Sequence, residues 1–386
     1  MAGLQRRWWV LTALSFMLVV GGGYALSRIW PVRAVFGWVG LTVVALAVQL
    51  SLFRRHLGAN YRPAEAGRPL LADLGPGNLI TLGRGLGIAA FAGFLAAPLP
   101  LDAHLAWAPA LLYALGVLPD FLDGALARAT GRVTVLGSIL DMEYDSLAML
   151  AVSALAVRLG KVPWWLIGLG LARYLFVAGI MWRQRRGLPV YDLPASNTRR
   201  LAAGFQMAFF CVALWPIFGP PLTALAGALF AAPILVGFGR DWLAVSGVLR
   251  HDTPRYRQYR RLRQRAWMWL PPFLRLMGGG VALSVLAPGL WHTATPGAVV
   301  WLTGVLAAMA ALGLLVGAGV RLGAIGLLIA VCVAVVWSGF VAWHSVLLIS
   351  TIPLLYTGAG RLALWRGEDA LFDRRPGEMP TSPAED

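Results

Sequence analysis

Residues 102–157 read DAHLAWAPALLYALGVLPDFLDGALARATGRVTVLGSILDMEYDSLAMLAVSALAV. Apolar runs at 102–119 and 136–157 enclose a polar segment, and Asp120, Asp123, Asp141 and Asp145 stand near the ends of those runs. A helix needs about 20 apolar residues to cross hydrocarbon, so each run is of spanning length. The runs are continuous rather than alternating, and lipid offers no partner to an open strand edge, which selects helix over strand. Working outward, similar runs fall at 8–28, 34–53, 79–98, 163–182, 201–218, 221–239, 273–289, 297–317, 322–338 and 341–358. The sequence therefore predicts an all-α polytopic membrane protein with about twelve transmembrane helices. A composition of 59% hydrophobic and 13% charged residues over 386 positions agrees with it.

The formal net charge is +16, from 33 Lys and Arg against 17 Asp and Glu, and Lys161 is the one lysine. Such residues collect at the cytoplasmic ends of spanning helices. With Arg6 and Arg7 inside, the same count of crossings puts Arg54, Arg55, Arg62, Arg68, Arg183, Arg185, Arg186, Arg199 and Arg200 inside, together with the runs 255–265 and 361–375. Arg28, Arg33, Arg158 and Lys161 are left outside. Both termini and the acidic segment then face the cytoplasm. This pattern accounts for the basic surplus without nucleic acid, and anionic membrane lipid is an additional partner for 250–265. Cys211 and Cys332 lie in apolar runs without metal-type spacing and read as packing residues. The run 8–28 is followed at once by a second run and lacks a small-residue cleavage pattern, so it reads as a retained helix.

Polar, arginine-bearing stretches divide the chain into three blocks: an N-terminal two-helix hairpin at 1–60, a six-helix domain at 61–250, and a basic linker plus four-helix membrane domain at 251–386. No acidic residue lies between Asp252 and Glu368, so chemistry that needs carboxylates belongs to the middle block. Gly21–Gly23 and Gly278–Gly280 read as close helix contacts. His292 and His344 have no acid or thiol near them in sequence and read as interfacial residues.

Residues three or four apart share a helix face, so Asp120 pairs with Asp123 and Asp141 with Asp145. The intervening ATGRVTVL turns the chain, so the end of one helix and the start of the next present four carboxylates at a membrane edge. Such a group repels itself and loses solvation unless positive charge compensates. Two divalent ions, Mg²⁺ or Mn²⁺, are the natural compensation, because they take oxygen ligands and share them with substrate phosphates. Metal ions held there would polarise a pyrophosphate and align a hydroxyl for displacement at phosphorus. Small Gly124, Ala127 and Gly137 would admit a flat nucleotide, and Arg128 would meet phosphate oxygens.

Asp120, Asp123, Gly124, Ala127, Arg128, then eight residues to Gly137, three to Asp141 and three to Asp145, resembles the signature of the CDP-alcohol phosphotransferases. The resemblance covers about 73–250 and implies a six-helix catalytic core for transfer of a substituted phosphate from a CDP-linked donor to an alcohol, with release of CMP. It implies that Asp120, Asp123 and Asp141 bind the metals, with Asp145 beside them removing the acceptor proton, and that Gly124, Arg128 and Thr134 contact CDP. In GNLITLGRG, Asn78, Thr81 and Arg84 resemble the family's first-helix pattern near the nucleotide. Members with a phosphorylated acceptor line its pocket with basic residues, which points to Arg173, Arg199, Arg200 and Gln206, although Ala202 and Ala203 depart from the glycerophosphate pattern. The expected activity is therefore a phosphotransferase of phospholipid synthesis, with CDP-diacylglycerol as donor and a homodimer as the implied assembly. A soluble CDP-alcohol donating to a lipid hydroxyl is the alternative within the family. A twelve-helix transporter is disfavoured because transporters place ionisable groups near the midplane. PPFLRLMGGG and LLYTGAGRLALWRGEDALF resemble the edges of a DoxX-type four-helix membrane domain.

Overall fold

The computed structural model describes residues 1–63, 69–117, 134–193, 197–249, 254–285 and 297–368. Twelve α-helices lie among them: α1 (Ala2–Ser27), α2 (Val32–His56), α3 (Pro76–Gly93), α4 (Ala108–Val117), α5 (Val135–Arg158), α6 (Ile167–Arg185), α7 (Asn197–Ala213), α8 (Leu222–Val245), α9 (Pro254–Val285), α10 (Ala298–Val316), α11 (Val320–Ser338) and α12 (Ala342–Thr357). Each overlaps one of the apolar runs. Seven of them, α1, α2, α3, α6, α8, α10 and α11, are long and apolar enough to cross a membrane. In α5 the carboxylates Asp141, Glu143 and Asp145 interrupt the apolar character, while α4 and α12 are shorter. The basic stretch from Pro254 forms one continuous helix with the apolar segment after it, running through Pro271 and Pro272.

The chain groups into two compact units. The first contains residues up to Leu171 and the end of α7 from Phe210. Here α3 lies between α2 and α5, and glycine sets the spacing on both sides. A Cβ on Gly93 would come within 2.8 Å of Trp38 Cδ1 on α2, and one on Gly85 within 2.6 Å of the Tyr144 ring on α5. Larger residues would force the backbones apart. The hairpin joins the same core: Trp8 Nε1 donates to Leu50 O at 3.0 Å, and Gly23 meets Val39 closely enough that a Cβ would lie 2.6 Å from its Cγ2.

The second unit contains α6 from Ala172, α7 to Phe209, and α8 to α12. Phe176 packs edge-on against Phe238 and Trp242, and Gly179 lies under the Trp242 ring. Helices α9 to α12 pack in a closed four-helix arrangement, and α12 also packs on α8, where Tyr356 Oη donates to Phe230 O at 3.2 Å. Gly317 and Gly319, with φ of 77° and 61°, make the turn between α10 and α11 in a region that only glycine enters without strain. Buried Arg275 fills the space beside that turn, donating to Leu314 O at 2.7 Å, Ala359 O at 3.0 Å, Leu315 O at 3.2 Å and Leu362 O at 3.3 Å. Buried Glu368 accepts from the backbone N–H groups of Arg321 and Leu322 and so caps the start of α11.

His344 lies in the first turn of α12. It is fully buried, and its Nδ1 accepts from Val341 N at 2.9 Å, which satisfies an otherwise orphaned donor at the start of α12. His292 lies outside the described residues.

Candidate active site

The start of α5 is fixed by Thr134, whose Oγ1 accepts from Gly137 N at 3.0 Å as a helix N-cap. From that start, Asp141 and Asp145 follow one turn apart on the side of α5 that meets Arg84. Arg84 projects from α3, is 3% exposed, and donates from Nη1 to Asp141 Oδ1 at 2.8 Å and from Nη2 to Asp145 Oδ1. One guanidinium thus bridges two carboxylates on neighbouring turns, a use of its rigid fork that lysine could not reproduce. The Arg84 side chain is 1% exposed whereas those of Asp141 and Asp145 are 42% and 33% exposed. Positive charge therefore lies on the buried side of the pair, and the carboxylates open outward.

Asn78 and Thr81 are buried on α3 with Arg84, at intervals of one helical turn. Thr81 Oγ1 donates to Gly77 O at 3.0 Å. Asn78 Oδ1 accepts from Thr134 Oγ1 at 3.2 Å, and a Cβ on Gly137 would stand 2.7 Å from the same oxygen. Gly137 is therefore needed for the approach of α5 to α3.

Asn60 was not found from the sequence. It is fully buried just beyond α2, donates from Nδ2 to Leu71 O at 3.1 Å and Asp73 O at 3.0 Å, and accepts at Oδ1 from Asn78 Nδ2 at 3.4 Å. The next residue, Tyr61, accepts from Val135 N at 3.0 Å through its carbonyl. One short segment thereby ties the starts of α3 and α5 together. A single asparagine after a helix carries no spacing pattern that would have marked it.

Asp120, Asp123, Gly124, Ala127 and Arg128 lie outside the described residues. Of the acidic quartet, the structure thus describes Asp141 and Asp145, with Arg84 between them. In the second unit, Arg199 Nη1 donates to Asp241 Oδ2 at 2.9 Å, and Arg240 donates to the other oxygen of that buried carboxylate at 2.7 Å. Arg173 and Arg200 are half-buried. Gln206 is fully buried, and neither of its amide atoms has a hydrogen-bond partner among the described residues.

Residues 76–238 match the CDP-alcohol phosphatidyltransferase family. That segment begins at the first turn of α3 and ends within α8, so it contains every site residue inferred from the sequence motif. A Mycobacterium tuberculosis protein named as a cardiolipin synthase is 34% identical over 122 residues, covering 30% of this chain and 58% of that protein. Another, named as a phosphatidylglycerophosphate synthase from the same organism, is 32% identical over 143 residues, covering 36% of this chain and 65% of that protein. The archaetidylinositol phosphate synthase of Aeropyrum pernix is 48% identical over 61 residues, covering 14% of this chain and 31% of that protein. The chain thus covers less than two thirds of each of these relatives. No solved structure matches it. The CDP-alcohol phosphatidyltransferase segment includes Arg84, Asp141 and Asp145 but neither the N-terminal hairpin nor helices α9 to α12.

Proposed function

We propose that the protein is a membrane-bound transferase that moves a phosphatidyl group from CDP-diacylglycerol to an alcohol and releases CMP. The observation that carries this reading is the pair of outward-opening carboxylates, Asp141 and Asp145, bridged by buried Arg84 within the family segment. The names of the relatives support lipid synthesis as its setting.

The residues described fit a divalent ion in kind. Asp141 and Asp145 offer hard oxygen donors one helical turn apart, and they already gather a positive group. Asp120, Asp123, Asp141 and Asp145 would hold two Mg²⁺ or Mn²⁺ ions, which when bound supply charge neutralisation for the pyrophosphate. Asp145 takes the proton of the acceptor hydroxyl as its oxygen bonds to phosphorus, and the phosphorus–oxygen bond to the CMP phosphate breaks. Arg84 keeps the two α5 carboxylates oriented through that exchange. Gly124, Ala127, Arg128, Thr134, Gly137, Asn78 and Thr81 contact CDP, and Arg173, Arg199, Arg200 and Gln206 are the candidates for recognising the acceptor. The hairpin at 1–60 and the block at 251–386 flank the catalytic domain at 61–250, the protein works as a homodimer, and its active site and both termini face the cytoplasm.

Purified protein in liposomes, offered CDP-diacylglycerol and several alcohols with and without Mg²⁺, tests this. Mass spectrometry should find CMP and a phosphatidyl-alcohol only with the metal, and the Asp145→Asn variant should lose turnover while still binding donor. Full activity in that variant would remove the proposed base, and product formed only from soluble CDP-alcohols would reverse the donor.

A further inference from the structure

We propose that the basic start of α9 and the segment after α12 together form a binding surface for anionic lipid headgroups. On α9, Arg261, Arg265 and Trp269 follow one another at intervals of four residues, all exposed, and exposed Phe273 continues the same stripe. At 1.5 Å per residue, Arg265 stands about 6 Å and Arg261 about 12 Å beyond Trp269 along the axis. The stripe passes from charge through an indole to hydrocarbon-type side chains, the order of water, headgroup layer and lipid core.

Residues 361–366, RLALWR, join this surface from elsewhere in the chain. The backbone N–H of Arg361 donates to Met268 O at 3.2 Å, and the Arg361 guanidinium lies over the Trp269 ring, 5.3 Å from its centre. Arg361 and Arg366 are exposed, as are Leu362, Leu364 and Trp365 between them. Two segments therefore bring four exposed arginines together with exposed indoles and leucines.

The sequence supplies no acidic residue from 253 to 367, and Glu368 is fully buried against the backbone of α11. These two segments thus supply no acidic counterpart of their own, and an external anion is the partner proposed. Exposed leucine and tryptophan interleaved with the arginines favour a lipid surface over a soluble polyanion, which has nothing to offer those side chains. The surface lies outside the family segment, and its binding of lipid does not depend on turnover.

Native mass spectrometry of the full chain, released from nanodiscs of equimolar phosphatidylglycerol and phosphatidylcholine, reads the preference directly. The unmodified protein should retain phosphatidylglycerol in excess, and the excess should fall as salt is raised. Arg261→Gln, Arg265→Gln and Arg361→Gln combined should weaken retention by about five-fold per arginine, whereas lysine at the same positions should preserve most of it. Equal retention of the two lipids by the unmodified protein would overturn the proposal, as would a salt-independent excess; the first is expected if acidic residues elsewhere in the chain neutralise the arginines, the second if phosphatidylglycerol is held by contacts other than charge. Because no CMP is measured, an inactive protein that still selects phosphatidylglycerol would sink the transferase reading and leave this one standing.

Discussion

Replacing Arg84 by glutamine removes the cation that holds Asp141 and Asp145 together. Two charge-assisted hydrogen bonds are lost, each contributing about 1.5–3 kcal/mol when well desolvated. The carboxylates keep 42% and 33% of their side-chain exposure, so solvent recovers part of that, and removing a buried charge recovers more. A net destabilisation of about 2 kcal/mol remains, equivalent to roughly 4–8 °C for a domain of 150–250 residues. The more discriminating quantity is the response to metal. In the variant the two carboxylates lose the counter-charge that Arg84 supplies, so Mg²⁺ should raise the melting temperature more in Arg84→Gln than in the unmodified protein, narrowing the gap between them. Thermal unfolding of both proteins across a Mg²⁺ titration, followed by intrinsic fluorescence, measures this. If Mg²⁺ raises both melting temperatures equally, the carboxylates gain nothing from the ion that Arg84 was not already supplying, and the reasoning fails.

Two further substitutions probe what holds the site. Asn60→Ala leaves Leu71 O and Asp73 O without their side-chain donor and removes the acceptor of Asn78 Nδ2, so stability should fall by about 2–3 kcal/mol and the KM for the CDP donor should rise more than kcat falls; a loss confined to the amount of folded protein would reduce Asn60 to a structural role. Gly85→Ala pushes a methyl to within 2.6 Å of the Tyr144 ring, at a cost of about 1–3 kcal/mol, and Tyr144→Leu in the same chain should restore part of the melting temperature, an outcome that additivity of the two changes would contradict.

The fold was legible because hydrocarbon imposes a length. Continuous apolar runs had to become helices, and every described helix overlaps one of them. What the runs could not show is how α9 begins, because the arginines from Arg255 to Arg265 look like a linker until they are seen in one helix with the apolar segment after them. At the site, the i, i+4 spacing of Asp141 and Asp145 announced a shared face, and the structure puts them on one. The identity of their partner was hidden, since Arg84 lies 57 and 61 residues away and no local period links it to them. The sequence pattern marked Arg84 for a nucleotide, and the fold adds its bonds to the two carboxylates. Asn60 and Asp241 escaped notice for the same reason: their importance comes from backbone carbonyls and arginines brought to them only by packing.

Arg275 shows a different kind of dependence. Among the described residues, all five acceptors around its guanidinium are main-chain oxygens, two at the end of α10 and three after α12. A carbonyl is present whichever amino acid occupies the position, so Leu314, Leu315, Ala359 and Leu362 are free to change identity without leaving that cation stranded, provided the chain keeps its path. Arg275 has no such latitude, because no other side chain carries a fork able to serve both ends at once. Tolerance to substitution in this block is thus set one-sidedly, by a single position on α9, and a mutational scan should find its sharpest minimum there rather than among the residues it touches.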